Sequence, residues 1–128
     1  MDEQNGRGYA VQTDPSSRWI EAGFSQNVRL ERSLAALHEA IELAGSASPR
    51  RFLLDMTHVG TDDSHGQMLV FAQRAHETGL RLTDRVAVIV SPSSTAHDFA
   101  EQAMQDRGYQ YYRAFRSREC AVKWLLGE

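Results

Sequence analysis

Residues 51–72 read RFLLDMTHVGTDDSHGQMLVFA. Phe52-Leu53-Leu54 is a short apolar run between Arg50-Arg51 and Asp55, the pattern of a strand buried on both faces. Asp55 closes that strand, and the residues from Met56 to Thr61 read as the loop leaving it. Asp62, Asp63 and Ser64 are three successive N-cap candidates, because their short side chains carry oxygens that can accept the orphan N–H groups of a helix start. Met68, Phe71, Ala72 and Ala75 then recur at helical spacing. A strand, a polar turn and a helix that opens under two carboxylates and a hydroxyl make this turn the first candidate for a site.

Working outward toward the C-terminus, Thr78-Gly79 ends the helix, and Leu80 and Leu82 lead into Arg85-Val86-Ala87-Val88-Ile89-Val90-Ser91. That run is β-branched and apolar at nearly every position, which predicts a central parallel strand. Ser91 to Thr95 is a loop and cap. A third helix follows, with Ala96, Phe99, Ala100, Ala103 and Met104 on one side and Gly108 at its end. Tyr109 to Phe115 mixes polar and aromatic residues and predicts an edge strand. Ser117 caps a short final helix through Cys120, Ala121, Trp124 and Leu125. Toward the N-terminus, Leu30, Leu34, Leu37 and Ile41 form one apolar stripe over a helix from Leu30 to Ala44, stopped by Gly45. Tyr9 to Thr13 and Trp19 to Phe24 form a hairpin around Asp14-Pro15-Ser16-Ser17. A regular second strand would put Trp19 and Phe24 on opposite faces, and Gly23 is a position for a bulge. Residues 1–7 are expected to be disordered, and residues 8–128 to form one domain.

A chain of 128 residues can bury a core without metal or disulfide staples. Its single cysteine, Cys120, leaves no internal disulfide and no cysteine-based zinc cluster. The net charge is -3 and the charges are interspersed, so no basic stripe offers itself to nucleic acid. No apolar run reaches the length of a membrane span, and the first residues lack the apolar core of a signal peptide. No nucleic acid, no membrane insertion and a cytoplasmic location are therefore expected. The element order, β-β-α-β-α-β-α-β-α, predicts an α/β domain. Its sheet is mostly parallel, with about four or five strands, an N-terminal antiparallel hairpin at one edge and about four helices. Ligands of such sheets gather beyond the carboxyl ends of the strands. Here that edge carries Asp55, Asp62, Asp63, Ser64, Ser91, Ser93 and Ser94.

The element order and the central turn together resemble the STAS-like proteins, the fold of the anti-sigma-factor antagonists and of the broader SpoIIAA-like group. In the antagonists a strand ends in a polar residue, and an Asp-Ser-Ser/Thr-Gly motif opens the next helix eight residues later. Asp55 ends the strand here, and Asp63-Ser64-His65-Gly66 stands at that spacing. Ala121-Val122-Lys123-Trp124-Leu125 is similar to the last helix of the SpoIIAA-like group. The chain departs from the motif where His65 replaces the second hydroxyl residue, Gln67 an aliphatic one, and Thr61-Asp62 an apolar pair. The resemblance implies a regulatory protein-interaction domain with no catalytic residues and no cofactor, possessing a protein partner of the kinase or anti-sigma type. It places a phosphoacceptor at Ser64 and a partner surface over Asp55, Thr61, Asp62, Asp63, Ser64, His65 and Gln67. The alternative is that Ser64 or Asp63 is only a helix cap.

Other chemistries find less in the residues. A phosphoaccepting Asp55 would require an acidic pair after the first strand and a lysine after the last, and Lys123 in the final helix is the only lysine. No HExxH pair, G-x-S-x-G elbow, P-loop or CxxC occurs. His38, His76 and His97 read as solvated helix-face residues. The aromatics from Trp19 to Trp124 admit a second function, an apolar groove carrying a lipid-like ligand. A tyrosine-rich edge strand also offers a contact for a homodimer.

Overall fold

Short apolar runs alternating with amphipathic stretches give five strands and four helices in the computed structural model, which describes residues 6–128. The strands are β1 (Tyr9–Thr13), β2 (Ile20–Phe24), β3 (Arg51–Met56), β4 (Arg85–Val90) and β5 (Tyr112–Phe115). They lie in one sheet in the order β1-β2-β3-β4-β5, with β1 antiparallel to β2 and all other neighbours parallel. Phe52, Leu54 and Met56 of β3 face the principal core, under α1 (Leu30–Ala44), α2 (His65–Thr78) and α3 (Ala96–Asp106). Leu53 faces the other way, with Trp19, Ala87 and Ile89, and α4 (Arg118–Leu126) closes over them through Ala121 and Leu125. Three helices on one face follow from successive crossovers of one hand. The fourth follows β5 and covers the opposite face.

The amino ends of the strands are joined by a buried ion pair. Arg50 Nε donates to Asp84 Oδ1 at 2.9 Å, and its Nη2 donates to Asp84 Oδ2 at 2.6 Å and to the Gly79 carbonyl at 2.7 Å. Asp84 Oδ2 also accepts the Arg81 N–H at 2.8 Å. Both side chains are almost wholly buried, so each charge depends on the other for the hydrogen bonds that water would have given it.

Several expectations need correction. The last strand begins at Tyr112, not Tyr109, because Gly108 turns the chain at φ +96. Tyr109 and Tyr112 are buried in the principal core, and the Tyr109 hydroxyl donates to the Leu80 carbonyl at 3.2 Å. The outer edge of β5 is covered: Glu101 Oε2 accepts the Ala114 N–H at 2.6 Å, and Gln105 Nε2 donates to the Tyr112 carbonyl at 3.1 Å. Side chains of α3 thus satisfy two of the backbone groups on the outer edge of β5. The pairing of β1 with β2 runs without a break through Gly23, so no bulge forms there, and Trp19 and Phe24 do lie on opposite faces. β3 continues one residue beyond Asp55, to Met56. Of the stretch 1–7 expected to be disordered, residues 1–5 lie outside the described residues. Gly6 and Arg7 have helical backbone, and Arg7 pairs with Glu39 at 2.8 Å.

Candidate functional site

Ser64 is the N-cap of α2. Its Oγ accepts the Gln67 N–H at 3.2 Å while Gln67 Oε1 accepts the Ser64 N–H at 2.8 Å, a reciprocal capping box. Ser64, His65 and Gln67 are all exposed. The oxygen that could take a phosphate therefore sits in solvent at the positive end of a 14-residue helix. His65 stacks flat on Phe99 of α3, with ring centroids 4.0 Å apart and planes at 6°. That contact joins the start of α2 to α3.

The preceding turn is fixed by residues more than thirty positions earlier. Val28 and Thr61 form a parallel bridge, with the Val28 N–H donating to Gly60 at 2.8 Å and the Asp62 N–H donating to Val28 at 2.8 Å. The Asn27 side chain accepts the Gly60 N–H at 3.0 Å and donates to Asp62 at 3.1 Å. Arg29 completes the brace through an ion pair to Asp62 at 3.1 Å. The Asp62 carboxyl is held below its ordinary pKa by the hydrogen bonds from Asn27 and Arg29. Asp63 turns inward and caps a different helix from the one it precedes, its Oδ1 accepting the Leu30 N–H at 2.9 Å. This bond stands in for the side-chain cap that Arg29, the N-cap of α1, does not supply. Burial pushes the Asp63 carboxyl above its usual value, opposed by the Leu30 N–H. Thr61 is half-buried, its Oγ1 accepting the Asp63 N–H at 3.1 Å.

Asp55 does not join this group. Its side chain is on the α4 face, where Oδ1 accepts the Thr57 N–H at 3.0 Å and Oδ2 faces Arg118 at 3.4 Å. Arg118 also holds Glu21 through both guanidinium nitrogens, at 2.6 and 3.1 Å, and its pKa is raised chiefly by that hydrogen bonding. The reason is strand alternation: Leu54 and Met56 point at the principal core, so Asp55 between them points away from it. The surface expected over Asp55 and residues 61–67 is therefore divided by the sheet, and only Thr61 to Gln67 is continuous. Among the described residues, no three of His, Cys, Asp and Glu converge as metal ligands, and no helix is long and apolar enough to cross a membrane. The chain matches no family model, no curated protein and no solved structure.

Behind the turn lies a small cavity of about 40 Å³, open on one side, between the sheet and the three helices, walled by Met56, Met68 and Phe71 and reached by Ser33, Asp63, His97 and Tyr112. His97 is buried, contrary to its reading as a solvated residue. The inward face of α3 runs through His97, Ala100 and Met104, one turn apart each, so the helix is rotated toward a position that polarity alone assigns to solvent. Sequence reasoning also missed Asn27, Arg29 and Ser33, for which no local pattern exists.

Burial lowers the His97 pKa below the ordinary 6.5, with Asp98 acting against this and Arg116 reinforcing it. The unfolded chain then takes up this proton first, so the histidine's contribution is complete above 6.5 and is lost as the pH falls toward the folded value. Asp63 has the opposite sign, since a raised carboxyl favours the folded state as the pH falls. Urea unfolding of wild type at pH 7.5 and 5.5 should show a loss at the lower pH that is smaller in His97→Phe. Equal losses in the two proteins would show that His97 does not carry it.

Proposed function

We propose that this chain is a STAS-like regulatory domain that presents the Thr61 to Gln67 turn and the start of α2 to a protein partner, with Ser64 as its control point. The observation that carries this reading is the exposed Ser64 hydroxyl at the head of α2, on a turn braced from behind by Asn27 and Arg29. A braced turn loses little conformational freedom on docking. A phosphate on Ser64 would add nearly two negative charges to that surface, beside an Asp62 that already has its countercharge. Leu69, exposed one turn beyond His65 on α2, supplies apolar area to the same surface.

The test uses the cap itself. Aspartate caps a helix as well as serine does, so Ser64→Asp should keep the fold and add charge, weakening partner capture. Ser64→Ala should lose about 1 kcal/mol of stability and keep the partner. Co-purification from the source cell with wild type, Ser64→Asp and Ser64→Ala as bait reads both effects. Equal capture by wild type and Ser64→Asp would remove the control role. The lipid-carrier alternative draws no support from the apolar pocket between the sheet and the helices, whose volume of about 40 Å³ is far short of the ~150 Å³ that admits a benzene molecule.

A further inference from the structure

Four arginines stand at the amino edge of the sheet: Arg18 just before β2, Arg50 and Arg51 at the start of β3, and Arg85 at the start of β4. Asp84 engages Arg50. Among the described residues, none of the other three forms an ion pair. Arg51 and Arg85 are register partners on neighbouring parallel strands. Strand alternation puts both on the α4 face, in line with Leu53 and Ala87. Like charges held side by side repel, and the Nε of each is buried with no hydrogen-bond partner. Arg85 is partly compensated, since its Nη2 donates to the Trp124 carbonyl at 2.8 Å, at the negative end of α4. Arg18 lies over the Trp19 ring at 5.5 Å, and its Nε donates to Ser16 Oγ at 2.8 Å.

At this edge the surface opens into a cleft of about 400 Å³, lined by Arg18 and Arg51, by the hydroxyl residues Thr13, Ser17 and Ser48, and by Pro49. No Asp or Glu is among the described residues that line it. We propose that the cleft binds the phosphate group of a small molecule, held by Arg18, Arg51 and the neighbouring hydroxyls. Charge selects the class: a cation would meet only like charges, and a neutral ligand would leave the Arg51–Arg85 repulsion as it is. Guanidinium forks match the oxygens of an oxyanion in pairs. A phosphate ester, with three strong acceptor oxygens and nearly two negative charges at neutral pH, uses more of these donors than a singly charged carboxylate does. The site lies at the opposite end of the strands from the turn that carries Ser64, so it does not rest on the role given to that residue.

Both tryptophans of the chain are at this edge, Trp19 in the cleft wall and Trp124 against Arg85, so intrinsic fluorescence reads occupancy. At pH 7.5 and constant ionic strength, inorganic phosphate should change the emission along a saturating curve and raise the melting temperature. Chloride and acetate at the same ionic strength should do neither. Arg51→Gln should weaken the phosphate curve about tenfold or more, as expected for a lost charged hydrogen-bonding group. In chloride alone it should leave the melting temperature unchanged or higher, because it removes one of two facing like charges. Arg18→Gln, at an exposed position, should weaken the phosphate curve as well and carries the test should Arg51→Gln fail to fold. An absent or linear response to phosphate, an equal response to acetate, or curves unchanged in these variants would overturn the site. So would a lower melting temperature of folded Arg51→Gln in chloride, which would show Arg51 to be satisfied by packing without a ligand.

Discussion

Asp84→Ala should destabilise the protein by about 3–5 kcal/mol, because it leaves the buried Arg50 guanidinium without its countercharge. The same substitution removes the acceptor of the Arg81 N–H and loosens the turn that delivers the chain from α2 into β4. Arg50 also accepts the Arg85 N–H through its carbonyl at 2.9 Å, so the lost pair lies where β3 and β4 begin their register. A decrease of that size is a large share of the stability of an ordinary domain. Replacing both partners, Arg50→Met with Asp84→Leu, should cost less than Asp84→Ala alone, since no charge then remains to be buried. Urea midpoints of the three proteins make the comparison. A double variant no more stable than Asp84→Ala would show that geometry, and not charge burial, is what the pair supplies.

Gly8→Ala should cost about 2 kcal/mol or more, from the left-handed backbone alone and then from the clash. Gly8 has φ +82, and a Cβ there would lie 2.7 Å from Arg32 Nε and 2.9 Å from Gln26 Cβ. Neither neighbour can yield freely. Arg32 Nε donates to the Arg7 carbonyl at 2.9 Å, Nη2 to Gln26 Oε1 at 3.0 Å, and Nη1 to the Asn27 carbonyl. The Gly8 carbonyl in turn accepts the Ser25 and Gln26 N–H groups at 2.9 and 3.2 Å. This segment runs directly into Asn27 and Arg29, which brace the presented turn. Gly8→Ala is therefore expected to lower the melting temperature and to broaden the amide signals of Thr61 to Ser64 together. Gly45→Ala, also at positive φ but with open space around it, is the control that carries the backbone strain without the clash.

Most of the architecture was legible in local pattern. The stripe Leu30, Leu34, Leu37 and Ile41 marked α1 to its ends, and the apolar runs at Phe52 and Val86 marked the two central strands. Ser64 and Ser117 were readable as caps because a cap is satisfied within its own turn: Ser64 by Gln67, Ser117 by Cys120. The boundary of β5 was not legible, because Tyr109 to Tyr112 have strand-like residues and the turn at Gly108 overrides them. His97 was misread because a polar residue at an inward helical position looks the same in sequence as one at an outward position. Its burial depends on how α3 rolls against the sheet.

The candidate site divides along the same line. That a hydroxyl would stand exposed at the start of α2 followed from residues three positions apart. Whether Asp55 would stand beside it depended on the face that strand alternation assigned, and it fell on the other side of the sheet. That Asp63 would cap α1, that Asn27 and Arg29 would lock the turn, and that Ser33, His97 and Tyr112 would meet in one cavity were set by contacts between elements distant along the chain. Short-range order is written in periodicity and capping, since its partners are neighbours within a helical turn. The pairing of orphan backbone groups and buried charges across the fold is chosen only when whole elements pack, because each such group takes the partner that packing brings within reach.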